Sequence, residues 1–545
     1  MKADRVLPEK KKKFMIGAAF LILLVLQFLV LLYFGTRKSG FHEDEFYSYY
    51  STNKTAGLFV NDRTWLDRES YRNDFVVLEG EEFRYDVVKM MQSWDVHPPL
   101  YYYILHTVCS LFPGIFSKWL GISVNLIAFV PGFLLLAYLV YQSVVADDSE
   151  ESRKKGIMLS FLTCLSWGFC AAVVSGVMFI RMYQWLTLFV LLCACLHIRA
   201  VRKNEFGLRF LIPLGITVFL GFLTQYYYII FHFFMGVGFC FLLLKEKRIR
   251  TLLAYGFSCA LGLLSAIVYY PSCLSHIFRG YRGTEAVSEF SNAGNTLDRL
   301  KFFVSLFDKY VVNGTLAVII LLICLLWITV FYREKRKPEK GIGLLLFTCA
   351  GYFFTISKTA LLLGETSNRY QLPVYGILVF LLLYFLYTPA EILVNRIVGN
   401  KEKQKAETMK NGMVLFLFGA ALLINVTALM ETKVFFLYEE EKPIMEYVKE
   451  NGDVPVVVFY NEASPDNVWR LSDELMVFPE IYLASQGNQE RITDGKITES
   501  GKLLVYVADH EDKEACLENL LQSSDRLSEY HVAARKNLWT LYEMN

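Results

Sequence analysis

KKKKFMIGAAFLILLVLQFLVLLYF, residues 10–34, sets four lysines directly before 21 residues that carry no charge. About twenty apolar residues cross the hydrocarbon core of a bilayer as a helix, so this stretch reads as a membrane span. A secretory signal has a shorter apolar region, about 7–15 residues, and is followed by a small-x-small cleavage site. Neither holds here, so the span is read as uncleaved. Similar runs recur near 119–143, 157–178, 182–200, 209–224, 226–244, 251–270, 313–332, 341–362, 371–388 and 412–430, which gives about eleven spans. Composition agrees: 54% of the 545 residues are hydrophobic, and there are 33 Tyr and 44 Phe, beyond what a soluble domain carries. The stretch from Pro99 to Phe112 is also apolar but too short to span, and reads as an interfacial or re-entrant helix.

Charge sorts along the chain and tests this count. With the N-terminus in the cytoplasm, the cytoplasmic segments are 1–13, 144–156, 201–208, 245–250, 333–340 and 389–411, and each of them carries a Lys/Arg cluster, Arg153-Lys154-Lys155 in the second. That is the positive-inside pattern. Letting 99–112 span as well would place the following basic loops outside. Three long segments then face outward: 36–118, 271–312 and the tail 431–545. The net charge of +2 gives no case for a nucleic-acid partner. Most of the eleven cysteines lie in apolar runs and none has a CxxC or Cys/His metal spacing, so neither a disulfide framework nor a zinc site is expected.

Two domains follow. Residues 1–430 form an all-α polytopic membrane domain. Residues 431–545 turn mixed and charged and read as a small extracytoplasmic α/β domain. Val454–Tyr460 and Lys502–Val507 have the look of buried strands, Leu475–Phe478 of another, and Asp512–Leu527 has helical periodicity.

Chemistry gathers in the outer segments. His42-Glu43-Asp44-Glu45 follows the first span. An acidic triplet is ordinarily a solvated loop, but at a membrane surface it can pair with cations or act as a base. Asp95-Val96-His97-Pro98-Pro99-Leu100-Tyr101-Tyr102-Tyr103 places prolines at a helix start, whose free amides suit a phosphate. Arg181-Met182-Tyr183 puts a charge in a tight outer turn between apolar spans, where it needs a partner or snorkels to headgroups. Thr224-Gln225-Tyr226-Tyr227-Tyr228 offers aromatic surfaces that suit sugars, and Asn368-Arg369-Tyr370 opens a later span with a second lone cation. By the charge-derived topology all these groups face one side. Acids there can serve a hydroxyl as general base and cations can stabilise a leaving phosphate.

An acidic pair after the first span, the Asp-x-His-Pro-Pro-Leu-Tyr-Tyr stretch, Arg-Met-Tyr after the third span and Asn-Arg-Tyr before a later one together resemble the GT-C glycosyltransferase superfamily, in particular its protein O-mannosyltransferase and aminoarabinose transferase-like branches. The resemblance covers about residues 1–400. It implies a hexosyltransferase that moves a sugar from a polyprenyl-phosphate donor to a hydroxyl acceptor, a glycan, lipid or protein, with inversion, on the outer face of the membrane. The Lys-rich loops and the lack of a disulfide framework suggest a bacterial plasma membrane, with the endoplasmic reticulum as the alternative. The resemblance implies Asp44 as the catalytic base with Glu45 beside it, a phosphate or acceptor contact from His97, phosphate contacts from Arg369 and Arg181, and a pocket lined by Tyr183 and Tyr370. The reading of the outer segments adds Glu43, Asp95, Tyr101, Tyr102, Gln225 and Tyr226 as substrate-binding candidates. No obligatory cofactor is implied, and there is room for a divalent metal near Glu43–Glu45. This chain departs from the pattern in carrying Glu43 before the usual pair and in lacking an acid just before Arg181. The alternative function is a transporter or flippase of lipid-linked sugars, which should show internal repeats and mid-span charges; the sequence shows no repeat. A structural protein binding a partner through its tail is the third reading, and Asp44→Asn would leave it working.

Overall fold

Backbone amides have no water to bond to inside a bilayer, so an apolar run of twenty residues closes its hydrogen bonds as a helix. The computed structural model describes residues 9–54, 60–331, 340–398, 402–431, 433–488, 490–509, 512–536 and 538–545, and each of the eleven apolar runs is helical. Among the described residues eight helices are long and apolar enough to cross a membrane, or up to ten if each of two bent pairs is one span; Leu208–Thr224 is a shorter apolar helix of 17 residues. The chain is a multi-pass membrane protein. Residues 1–8, 332–339 and 399–401, which hold parts of three basic segments, lie outside the described residues.

The chain divides into two compact units. The first holds Met1–Phe34, Gln92–Tyr101 and Ile122–Phe435, and among its described residues the regular elements are all helices. Lipid tails are as apolar as leucine, so helices here associate through close packing at small residues. Leu208–Thr224 and Ile249–Tyr269 cross at Gly215 and Gly262, where a Cβ on Gly262 would strike the Gly215 carbonyl. Tyr228–Lys245 and Lys340–Thr359 interlock through side chains instead, with Leu344 seated against Gly238 and Phe234 against Gly351. The span expected at 157–178 is broken by 56° between Glu150–Phe169 and Ala171–Met178. Gln27 supplies a cause: its Nε2 donates to Cys164 O at 2.8 Å just before the break, and a side chain entering the helical ladder bends a helix. Leu316–Phe331, the helix of the run expected at 313–332, follows a 96° turn from the preceding helix.

The second unit joins Gly35–Met91 and Tyr102–Gly121 to Phe436–Asn545. The tail therefore shares its compact unit with most of the first outer segment. Its six-stranded sheet has the order β1-β3-β2-β4-β6-β5, with β1 at Thr64–Asp67, β2 at Val456–Tyr460, β3 at Glu480–Ser485, β4 at Leu503–Ala508, β5 at Tyr530–Lys536 and β6 at Trp539–Met544. β2 runs parallel to β3 and β4, and the other pairings are antiparallel. Every residue of β2 and β4 is buried, as parallel central strands covered on both faces require. Cys516, Leu517 and Leu520 of the Lys513–Ser523 helix pack on Val457, Phe459, Val505 and Val507.

The strands expected at Val454–Tyr460 and Lys502–Val507 are β2 and β4, and the helix expected at Asp512–Leu527 is Lys513–Ser523. Leu475–Phe478 is not a strand: Ser472–Leu475 is a helical turn, because Asp473 and Glu474 turn inward to Lys536, and the strand starts beyond Pro479. The Pro99–Phe112 stretch is a helix over Leu100–Ser110, too short to span. All eleven cysteines are free thiols.

Candidate active site

Glu43, Asp44 and Glu45 begin the Glu43–Asn53 helix, where the helix dipole favours carboxylates. His42 caps that helix: its Nδ1 accepts from Asp44 N at 3.0 Å, and Glu45 Oε2 reaches back to His42 N at 2.6 Å. This reciprocal box fixes the first turn. The three acids then part company. Glu45 is fully buried and its Oε2 also takes Lys38 Nζ at 2.9 Å. Burial pulls the Lys38 ammonium below the ordinary lysine value while Glu45 opposes the shift. Glu43 pairs with Arg470. Asp44 keeps 28% of its side chain exposed, with its carboxylate 3.6 Å from His42 Nδ1. That nitrogen already accepts a backbone N–H, so it brings no proton to Asp44. The sequence left open which carboxylate acts as base. The contacts tie Glu45 to Lys38 and the His42 amide, and leave the Asp44 side chain partly exposed.

In the first unit, Asp95 and His97 sit in the turn before the Pro98-Pro99 helix start. Asp95 Oδ2 lies 2.8 Å from His97 Nδ1, and Arg181 Nη2 lies 2.9 Å from His97 Nε2. A guanidinium only donates, so Nε2 accepts and Nδ1 carries the proton that Asp95 receives. His97 is thereby oriented by Asp95 and used to hold Arg181. Burial pushes the Asp95 carboxyl up, but His97 and Arg181 outweigh it and hold the group well below the usual carboxylate range. Arg181 itself is buried in the four-residue turn Phe179–Met182. Asn125 braces that turn, its Nδ2 donating to the carbonyls of Val177 and Phe179.

Arg369 is also buried, and its guanidinium lies over three rings: Phe179 at 5.0 Å, Tyr370 at 5.1 Å and Tyr183 at 6.0 Å. Aromatic faces attract cations, so the three rings favour the charged guanidinium. Tyr183 and Tyr370 meet edge to face at 5.7 Å, and Tyr227 packs on Tyr370. Arg181 and Arg369 both lie within electrostatic reach of Tyr183. The structure therefore brings Asp95, His97, Arg181, Tyr183, Arg369 and Tyr370 together within one unit.

Other expected residues take other places. Tyr226 shares a hydrogen bond with His276 Nδ1 at 2.9 Å, and His276 Nε2 lies 3.2 Å from Ser93 O. Tyr226 thus ties the outer segment to the Asp95 turn. Gln225 Oε1 takes the Tyr226 amide at 2.6 Å. Tyr101 and Tyr102 are fully buried, the first in the membrane unit and the second in the other. Among the described residues no three His, Cys, Asp or Glu side chains gather as a metal site. Lys38, Arg470, His276 and Phe179 are contacts the sequence reading missed. Lys38 alone carried a signal, as a lone lysine between a span and an acidic run.

No family model matches the chain, and no curated protein matches it. Among solved structures it is similar to ArnT from Cupriavidus metallidurans bound to undecaprenyl phosphate, with a TM-score of 0.48 and 11% identity over 95% of this chain and 97% of that one. The same protein in the apo state gives a TM-score of 0.46 and 10% identity over 97% and 98% of the two chains. The archaeal oligosaccharyltransferase AglB from Archaeoglobus fulgidus, in complex with an inhibitory peptide and a dolichol-phosphate, gives a TM-score of 0.46 and 10% identity over 94% of this chain and 72% of that one.

Proposed function

We propose that this protein is a GT-C-type membrane glycosyltransferase that moves a hexosyl group from a polyprenyl-phosphate donor to a hydroxyl acceptor on the extracytoplasmic face, with inversion. The observation that carries the reading is the pair of buried guanidiniums around Tyr183, one braced by a His–Asp pair and the other by aromatic faces. Two cations kept charged at the end of apolar helices suit the phosphate of a lipid. A scaffold protein has no use for them. The motif resemblance, from the acidic pair to Asn368-Arg369-Tyr370, points to the same chemistry.

In this reading Asp44 takes the proton of the acceptor hydroxyl as its oxygen attacks the anomeric carbon. The bond from that carbon to the donor phosphate breaks, and the phosphate leaves with one more negative charge. Arg181 and Arg369 meet that charge, which is larger in the transition state than in the bound donor, so they favour catalysis over binding. The two guanidiniums neutralise the leaving group, so the reading requires no cofactor, although a divalent metal beside Glu43–Glu45 is compatible with it. Tyr183 and Tyr370 shape the donor pocket. The acceptor is a glycan, lipid or protein of the cell envelope. The basic loops orient the N-terminus to the cytoplasm and the tail to the outside of a bacterial plasma membrane.

The test is transfer of radiolabelled sugar from synthetic polyprenyl-phosphate-hexose to cell-envelope acceptors by the purified protein. A positioned general base contributes roughly 10²–10⁴-fold, so Asp44→Asn should lower transfer by at least about a hundredfold with the fold intact. Full transfer by Asp44→Asn would remove Asp44 as the base. No transfer by the wild type from any polyprenyl-phosphate sugar would remove the enzyme reading.

A further inference from the structure

A base at a helix start works only if that start is held still. Within the second unit both neighbours of Asp44 are tied down, and the tail supplies most of the ties. Glu43 pairs with Arg470, and Tyr47 and Tyr50 pack on the Trp469 ring with centroids 5.4 and 4.1 Å apart. Glu45 pairs with Lys38, whose Nζ also donates to Phe436 O at 2.6 Å. The segment that follows Phe436 runs along the chain entering the helix. Ser39 N donates to Leu437 O at 2.7 Å, and Arg37 binds both oxygens of Glu439 at 2.5 and 2.6 Å. Phe436 and Tyr438 hold φ values of 67° and 54°, a left-handed backbone that non-glycine residues keep only where their surroundings impose it. Gly40 is pressed against Glu441 and Tyr438 so closely that no Cβ fits.

Glu441 then leads into the tail. Its carboxylate lies 3.0 Å from Lys536 Nζ, which also meets Asp473 at 3.1 Å and Glu474 at 2.9 Å. Glu474 in turn accepts from the Tyr506 hydroxyl at 2.6 Å. All four charged side chains are at most 11% exposed. Such a cluster has little freedom, because removing its one ammonium would leave three carboxylates buried together.

We propose that the tail serves as a clasp for the acidic helix, with Arg470 and Lys536 as positioning residues that aim the Asp44 carboxylate without touching substrate. Arg470 acts through Glu43 and the Trp469 platform. Lys536 acts through Glu441, which sits against Gly40 two residues before the cap. The proposal rests on the reading of Asp44 as the base. It assigns the tail a role in the chemical step rather than in acceptor binding.

The experiment uses the full-length purified protein and compares Arg470→Gln, Arg470→Lys and Lys536→Met with wild type and Asp44→Asn. Two quantities are read: kcat and KM for polyprenyl-phosphate-hexose, and amide hydrogen exchange over residues 39–50. The expected result is a kcat at least tenfold lower in Arg470→Gln and Lys536→Met, a donor KM within twofold of wild type, and faster exchange over 39–50. Arg470→Lys should restore part of the rate. Arg470 lies outside the buried Lys536 cluster, so Arg470→Gln decides the matter if Lys536→Met does not fold. Unchanged exchange over 39–50 in Arg470→Gln overturns the clasp, as does faster exchange with kcat unchanged. Full activity in Asp44→Asn would overturn the base assignment instead, and the exchange data would still report on the clasp itself.

Discussion

Asp95 never needs to touch a substrate to matter, and that is a consequence that can be measured. Replacing it with Asn keeps the shape and removes the charge. In the native arrangement the carboxylate receives the proton on His97 Nδ1, which leaves Nε2 as the acceptor for Arg181. An amide at position 95 offers a weaker acceptor and a competing donor, so the imidazole loses its fixed tautomer and Arg181 loses a fixed partner. A hydrogen bond to a charged group contributes about 1.5–3 kcal/mol when buried. The Asp95 side chain is 37% exposed, so solvent screening brings the expected effect to about 1–2 kcal/mol. At 1.36 kcal/mol per factor of ten, that is about a 5- to 30-fold loss in kcat/KM. The loss should fall on kcat, because in the proposed mechanism Arg181 meets charge that grows as the phosphate leaves. The assay is steady-state transfer from polyprenyl-phosphate-hexose by wild type, Asp95→Asn, His97→Ala and Arg181→Ala, each checked for folding. The last two should lose more than Asp95→Asn, and Asp95→Asn combined with His97→Ala should cost no more than His97→Ala alone, since the residues act in series. If Arg181→Ala is crippled while both Asp95→Asn and His97→Ala turn over within twofold of wild type, the relay does not orient Arg181 and the reasoning is wrong.

Two further outcomes concern stability. Burial and the neighbouring Asp473 and Glu474 raise the Glu441 carboxyl to about 7 from an ordinary 4.5, with Lys536 opposing. The folded protein therefore holds that proton more tightly than the unfolded chain. The resulting stabilisation, up to about 3 kcal/mol, is complete below pH 4.5 and is lost as pH rises through 7. Thermal unfolding in detergent should show Tm falling between pH 5 and 8 in wild type and a flatter profile in Glu441→Gln; parallel profiles would refute this. In the membrane unit, Gly262→Val drives a side chain into the Gly215 carbonyl and should cost about 1–3 kcal/mol. Gly256→Val, on the same helix but with nothing within 4 Å of its Cβ position, is the control; equal losses in both would refute the tight crossing.

What the sequence determined by itself is what lipid dictates locally. A run such as Phe14–Phe34 has one way to satisfy its backbone in a bilayer, so each apolar run becomes a helix, whatever surrounds it. The basic segments gave an expected orientation, through the positive-inside pattern of short loops. β2 and β4 were legible for a similar reason: VVVFY and LLVYVA are apolar on both faces. The tertiary structure decided everything that depends on distant partners. β1 is a four-residue TWLD whose pairing residues in β3 lie more than four hundred positions away, and β5 is an exposed YHVAARK edge without alternation. The acids at 43–45 are equivalent as text. They became a tethered Glu43, a half-buried Asp44 and a buried Glu45 only because Arg470 and Lys38 arrived beside them. His97 was expected as a substrate contact beside a helix start. Its actual occupation, between Asp95 and Arg181, depends on a turn 84 residues further along the chain, and no local pattern encodes a hydrogen bond of that range.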